Sequence, residues 1–286
     1  MRLEDLKVSE TYISKAPSGD FFSRLWPSGG HFLRVLGVVL KAGSKAHKKQ
    51  YFAADWIESS VDTITSIEKS GVSVSIEGLQ YIRAVDGPCV FIGNHMSTLE
   101  TFALPSIIQP FKDVTFVVKE SLLKYPFFGA VLASRDPIVV GRTNPRQDLT
   151  AVLEGGKERL DSGRSIIVFP QSTRSSSFDL NYFNSIGVKL ARRAGVPVVP
   201  IAIKTDAWAM GRFLKDFGPV DTTKDVHFRF GPSLKVTGNG KKEHDEVCTF
   251  ISAALQEWGV ETIALAAAPV KGELEESGKP GKPGGA

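Results

Sequence analysis

His95 and Glu100, five residues apart, and Arg174 are the side chains of this sequence best suited to chemistry. Neutral imidazole accepts a proton near neutral pH, and a carboxylate on its other ring nitrogen fixes tautomer and orientation. Arginine offers a planar fork of N–H donors that fits a phosphate in bidentate fashion. Within one regular helix a spacing of five would place His95 and Glu100 on different faces. The stretch Ser97-Thr98-Leu99-Glu100 offers a way around this. It reads as a capping box, with Ser97 at the N-cap and Glu100 at the third helical position. His95 then lies just outside the helix, on a loop able to fold back toward Glu100. The spacing leaves a second reading open, in which Glu100 caps backbone alone and His95 is a loop residue.

The elements that must position these side chains are two apolar runs, at 88–92 and 165–169, each ending where a polar stretch begins. Continuous apolar runs of this length suit central strands. Further strands are expected at 72–76, 114–118, 137–140, 198–203 and 226–230, with helices at 98–108, 146–161, 184–194 and 243–265. Alternation of this kind predicts an α/β fold, a mixed and roughly seven-stranded sheet covered by helices. Ligand crevices in such sheets form at the carboxyl ends of strands, where His95 and Arg174 would emerge.

Two helices are expected before the sheet, at 31–49 and about 50–69. The first has an almost all-round apolar middle and a basic end of Lys41, Lys45, Lys48 and Lys49, preceded by Phe21, Phe22, Leu25 and Trp26. Aromatic anchors beside lysines suit a helix lying in a membrane interface, and an ordinary packed helix is the competing reading. The first fifty residues carry nine Lys/Arg against four Asp/Glu, a net +5, so with +4 overall the remainder is about −1. A basic arm on a near-neutral body points to an anionic surface. No nucleic-acid motif accompanies it, so nucleic acid is not expected as a partner. Two cysteines, Cys89 and Cys248, make neither a disulfide framework nor a zinc pattern, and five scattered histidines argue against a metal site. No run approaches the roughly 20 apolar residues of a spanning helix.

The motifs resemble those of the glycerolipid acyltransferases, the family that includes 1-acylglycerol-3-phosphate and other lysophospholipid acyltransferases. Asn94-His95 with Glu100 resembles the family's His-x4-Asp motif. Lys119, Leu122, Pro126, Gly129 and Arg142 resemble the second motif. Phe169-Pro170-Gln171-Ser172-Thr173-Arg174-Ser175 resembles Phe-Pro-Glu-Gly-Thr-Arg-Ser, and Val196-Pro197-Val198-Val199-Pro200 resembles the fourth. Four motifs in order across 72–203 are far more specific than any one alone.

The resemblance implies an O-acyltransferase that moves a fatty acyl group from acyl-CoA or acyl carrier protein to a lysophospholipid hydroxyl. The favoured acceptor is 1-acylglycerol-3-phosphate, with no cofactor beyond the thioester co-substrate. It implies His95 as general base, Glu100 as orienting carboxylate, and Arg174 with Lys119 on the acceptor phosphate. Arg142, Gln171, Ser172 and Thr173 complete the implied substrate-binding set. No Gly-x-Ser-x-Gly elbow suggests a serine nucleophile. Three departures stand out: Glu100 replaces Asp, Gln171 replaces Glu, and Ser172 replaces Gly. They leave open a different lysolipid acceptor, or a non-catalytic lipid- or acyl-binding protein of the same fold. The Tyr125-Pro126-Phe127-Phe128-Gly129 segment reads either as acyl-tunnel lining or as a core turn. The segment 213–217 reads either as a second membrane-facing patch or as ordinary packing. The chain is thus expected to divide into a membrane-associating helical region (1–70), an α/β acyltransferase domain (71–268) and a disordered tail (269–286), peripheral or monotopic on the cytoplasmic face of a membrane.

Overall fold

A computed structural model describes residues 1, 3–14, 23, 25–171, 173–211 and 216–265 of the chain. Phe21, Phe22, Ser172, Phe213 and the tail 269–286 lie outside the described residues. Among the described residues ten strands follow one another as β1 (Thr11–Ile13), β2 (Val74–Glu77), β3 (Val90–Gly93), β4 (Val114–Lys119), β5 (Ile138–Val140), β6 (Ser165–Val168), β7 (Phe178–Asp179), β8 (Val198–Lys204), β9 (Val226–Phe230) and β10 (Thr262–Ile263). Eight of them form one sheet in the order β1-β2-β9-β8-β3-β6-β4-β5, and β7 pairs with β10 separately. The seven expected strands are all there. The eighth, β1, is a three-residue edge strand antiparallel to β2, too short to leave a period in the sequence.

Strands β8, β3, β6, β4 and β5 are mutually parallel, while β9 runs antiparallel to β8. Their five carboxyl ends therefore open on one edge of the sheet. Successive side chains of a strand point to opposite faces, and β3 shows the consequence. Phe91 packs with Phe116, Val199 and Ile201 on one face, whereas Val90 and Ile92 join Ile166, Val168 and Val188 on the other. Both faces are buried, which is why these strands read as continuous apolar runs.

The nine described α-helices are α1 (Leu3–Val8), α2 (Pro27–His47), α3 (Ala53–Lys69), α4 (Leu79–Arg83), α5 (Leu99–Ile108), α6 (Phe128–Ala133), α7 (Pro145–Asp161), α8 (Ile186–Ala194) and α9 (Lys241–Glu257). The last helix stops well short of residue 265. Gly259 takes φ +72°, the Val260 N–H turns back to the Leu255 carbonyl, and the chain leaves to form β10. Helix α5 carries Pro105 inside it. Ser60 of α3 supports that point, its Oγ accepting from the Ser106 N–H at 2.9 Å and donating to the Ala103 carbonyl at 2.9 Å.

Helices α2 and α3 share one core with the sheet, Val35, Trp56, Ile64 and Ile67 being buried with Phe91 and Phe116. Helix α2 nevertheless leaves Phe32, Leu33, Leu36 and Leu40 exposed along one stripe, with Leu25 and Trp26 exposed before it. Gly129 explains the turn from the second motif into α6. A Cβ there would stand 2.1 Å from the Leu123 carbonyl oxygen, so only glycine lets the chain pass. No helix among the described residues is long and apolar enough to cross a membrane.

Candidate active site

The five parallel strands deliver one polar residue after another to the same edge. Asn94 leaves β3 and pairs with β8 as though the strand continued. Its amide donates to the Ile203 carbonyl at 2.7 Å and accepts from the Ile203 N–H at 2.8 Å. The next residue, His95, is thereby held at the sheet edge. Its N–H donates to Gln171 Oε1 at 2.7 Å, its carbonyl accepts from the Ser175 N–H at 3.0 Å, and its ring stacks on Phe169 with centroids 4.6 Å apart and planes within 5°.

His95 Nδ1 lies 2.7 Å from Glu100 Oε1. The expected capping geometry is present with a small change. Helix α5 begins at Leu99 with Thr98 already in helical conformation. Ser97 Oγ accepts the Leu99 N–H at 3.0 Å, and Glu100 accepts the Ser97 N–H at 2.9 Å. Glu100 thus caps backbone and holds the imidazole at once, so the two readings left open by the spacing are one arrangement. The carboxylate is fully buried and also accepts from the Met96 N–H at 2.7 Å and the Thr205 hydroxyl at 2.6 Å. Burial pushes the Glu100 carboxyl up, but the bond and charge of His95 and the Thr205 hydroxyl outweigh it and hold it below the usual carboxylate range.

An ionised carboxylate only accepts hydrogen bonds, so Nδ1 carries the proton of the neutral ring and Nε2 keeps a lone pair. Nε2 has no hydrogen-bond partner among the described residues, and the side chain is 17% exposed. The arrangement can take a proton from an incoming hydroxyl and hold the resulting imidazolium against a buried negative charge.

Arg174 comes off the loop after β6 and reaches Thr98, at the start of α5, where its Nη1 donates to the hydroxyl. Its Nη2 donates to Asp216 Oδ1 at 2.5 Å, and the second oxygen of Asp216 accepts from the Tyr125 hydroxyl at 2.8 Å. The loop around it is pinned by Asn184, whose amide donates to the Pro170 carbonyl at 2.5 Å. Gln171 is buried with its oxygen turned to the His95 main chain, whereas Thr173 is exposed. Lys119 ends β4, exposed, and Arg142 follows β5, exposed and at φ +59° with its N–H donating to Asp148. Both stand at the carboxyl edge, one and two strands from β6, and neither side chain is joined to His95, Glu100 or Arg174 by a hydrogen bond among the described residues.

Sequence reasoning passed over Thr205, Asp216 and the amide clasp of Asn94. Thr205 had a usable signal: it stands directly after β8, at another central strand's carboxyl end. Asp216 had none, because its bond to Arg174 spans 42 residues. Among the described residues no group of three His, Cys, Asp or Glu could hold a metal ion.

Comparison with known proteins gives the family and the fold. Residues 73–204 match the family described as Acyltransferase. A 1-acyl-sn-glycerol-3-phosphate acyltransferase of Pseudomonas aeruginosa is 31% identical over 195 residues, 68% of this chain and 70% of that protein. One from Saccharomyces cerevisiae is 32% identical over 181 residues, 58% of each chain. The crystal structure of the 1-acyl-sn-glycerophosphate acyltransferase PlsC of Thermotoga maritima superposes with a TM-score of 0.60 at 18% identity, covering 82% of this chain and 94% of that one, a likeness of fold. The chain belongs to the Acyltransferase family.

Proposed function

We propose that this acyltransferase esterifies the free hydroxyl of a lysophospholipid, foremost 1-acylglycerol-3-phosphate, with an acyl group from acyl-CoA or acyl carrier protein. The observation that carries the reading is the His95–Glu100 pair with Nε2 open at the sheet edge. Nε2 takes the proton of the acceptor hydroxyl as its oxygen attacks the thioester carbonyl. Glu100 keeps the imidazolium in place. The tetrahedral intermediate collapses with cleavage of the C–S bond, and the departing thiolate recovers the proton from His95. Arg174 takes the acceptor phosphate, with Lys119 and Arg142 as further cations of the same edge and Thr173 at its mouth. Gln171 contributes indirectly, by holding the His95 main chain. The names of the relatives from Pseudomonas and yeast support the acceptor.

The exposed apolar stripe of α2, Phe32, Leu33, Leu36 and Leu40, supports attachment to a membrane surface. Lys41, Lys48 and Lys49 are exposed at its basic end. On this reading the enzyme works peripherally, at the cytoplasmic leaflet.

The test is thiol release from acyl-CoA, and in parallel from acyl carrier protein, by purified protein in vesicles with lysophosphatidate and other lysolipids. Acceptor-dependent release that falls at least a hundredfold in His95→Ala is expected, the scale of a lost general base. Release without any acceptor would point to a hydrolase. Saturable binding without release would make the protein a lipid-binding member of the fold.

A further inference from the structure

Arg174 is not free to receive a phosphate in the structure described: a carboxylate already holds it. Asp216 Oδ1 is 2.5 Å from Arg174 Nη2, and both side chains are largely buried, at 19% and 17% exposure. Tyr125, from the turn before α6, donates to the other Asp216 oxygen at 2.8 Å. Phe217, next to Asp216, packs edge-on against Phe32 of α2 at 5.9 Å and lies near Trp208 at 6.1 Å. The acid is therefore bracketed from three elements rather than carried on a bare loop end. The phosphate position is thus a matched pair of one positive and one negative charge.

Such a pair treats headgroups differently. A phosphate monoester carries between one and two negative charges near neutral pH. To reach Arg174 it must separate the guanidinium from Asp216 and leave that carboxylate with only the Tyr125 hydroxyl, in a partly desolvated place where like charges repel. A headgroup with a phosphate diester and an ammonium can exchange with the pair instead. Its phosphate goes to Arg174 and its ammonium to Asp216, so no charge is left without a counter-charge.

We propose that Asp216 is a specificity-determining residue of the acceptor site, biasing it against phosphate monoesters and toward lysophospholipids that carry an ammonium beside their phosphate. The proposal rests on the acyl-transfer step of the reading above and revises its choice of acceptor, moving the preference from the phosphate monoester to lysophospholipids that carry an ammonium.

The experiment compares kcat/KM for lysophosphatidate and for lysophosphatidylethanolamine in the full-length protein and in Asp216→Asn. The ratio of the two should move roughly tenfold toward the monoester in Asp216→Asn, chiefly through KM, and return toward the parent value in Asp216→Glu. A ratio within twofold of the parent, or one that moves toward the ammonium-bearing acceptor, would overturn the proposal. So would equal losses of kcat on both acceptors, the mark of a merely structural role. If Asp216→Asn is poorly folded by thermal melting, Asp216→Ser is read by the same ratio. Calorimetric binding of the soluble probes glycerol 3-phosphate and glycerophosphoethanolamine separates this inference from the reaction itself. Absence of acyl transfer in the parent would count against the reading of function alone. A gain in glycerol 3-phosphate affinity confined to the Asp216 variants would still support the role of Asp216, and no gain would refute it.

Discussion

Replacing Thr205 by valine removes one oxygen and keeps the shape, at a point where the structure sets the consequence. Glu100 Oε1 receives His95 Nδ1, the Met96 N–H and the Ser97 N–H. Oε2 receives the Ser97 N–H at 3.1 Å, the Ser97 hydroxyl at 3.2 Å and the Thr205 hydroxyl at 2.6 Å. Thr205 is thus the shortest partner of one of the two oxygens, and both residues are fully buried, so no water takes its place without repacking. A hydrogen bond to a charged group contributes about 1.5–3 kcal/mol. The hydroxyl holds the carboxylate both before and after His95 is protonated, so most of this loss falls on folding rather than on the barrier. A loss of ~2 kcal/mol corresponds to a fall in Tm of roughly 3–4 °C for a chain of this size. The part specific to the imidazolium state should lower kcat/KM about three- to tenfold.

The pH dependence follows from the same bond. The Glu100 carboxyl is held below its usual range near 4.5, so its contribution to stability is present above that pH and fades as pH falls through the lowered folded value. Without the Thr205 bond the folded value rises, and acid unfolding should begin at higher pH. Thermal melts and thiol-release rates from pH 4 to 8 on Thr205→Val and Thr205→Ser supply the check. Serine keeps the hydroxyl and should recover most of the loss. Two equally impaired variants, or a valine variant indistinguishable from the parent in Tm and in kcat/KM, would refute the reasoning.

Asn94→Ala should lower kcat/KM and Tm together, because it opens both bonds to Ile203 while leaving His95 intact; each lost bond is worth ~1 kcal/mol, and Asn94→Asp, which cannot donate, should do no better. Gly129→Ala should destabilise by more than about 2 kcal/mol, read as a lower urea midpoint, since its methyl meets the Leu123 carbonyl oxygen; an unchanged midpoint would show that the turn yields. His31 is buried against Trp208 and Ser66, and burial, with Arg34 nearby, pushes its pKa down to about 3 from 6.5. Its neutral form favours the fold fully above pH 6.5, and stability should decline as pH falls from there toward 3, by up to ~5 kcal/mol, with a shallower decline in urea titrations of His31→Gln. Changing Leu33, Leu36 and Leu40 of α2 together to serine should release the protein from anionic vesicles in sedimentation while leaving Tm nearly unchanged, because the stripe faces outward; unchanged sedimentation would argue against the membrane-facing role.

Much of the fold is legible because the central strands carry their own signal. Residues 90–92, 166–168 and 198–203 are apolar at every position since both faces of the sheet are covered, and the break to polar residues marks each carboxyl end. The limit of the last helix was less legible, because Trp258, Val260, Ile263 and Leu265 keep apolar residues recurring beyond it and the exit depends on Gly259 and on pairing with β7. The pairing of His95 with Glu100 was half legible. Ser97-Thr98-Leu99-Glu100 marks a helix start, and whether its acid faces backbone or imidazole depends on where β3 releases the chain.

By itself the sequence determined the resemblance to the family, the helix start beside His95, the arginine after β6 and the alternation that makes an α/β sheet, all of them properties of residues close along the chain. Only the tertiary structure decided what Glu100 and Arg174 touch besides their neighbours. Thr205 reaches Glu100 across 105 residues, Asn94 reaches Ile203 across 109, and Asp216 takes the cation offered by Arg174. Strand order puts β3, β6 and β8 side by side although their sequences are far apart. Hydrogen bonds and ion pairs are set by distances of about 3 Å in space, and separation along the chain leaves no local pattern from which such a meeting could be read.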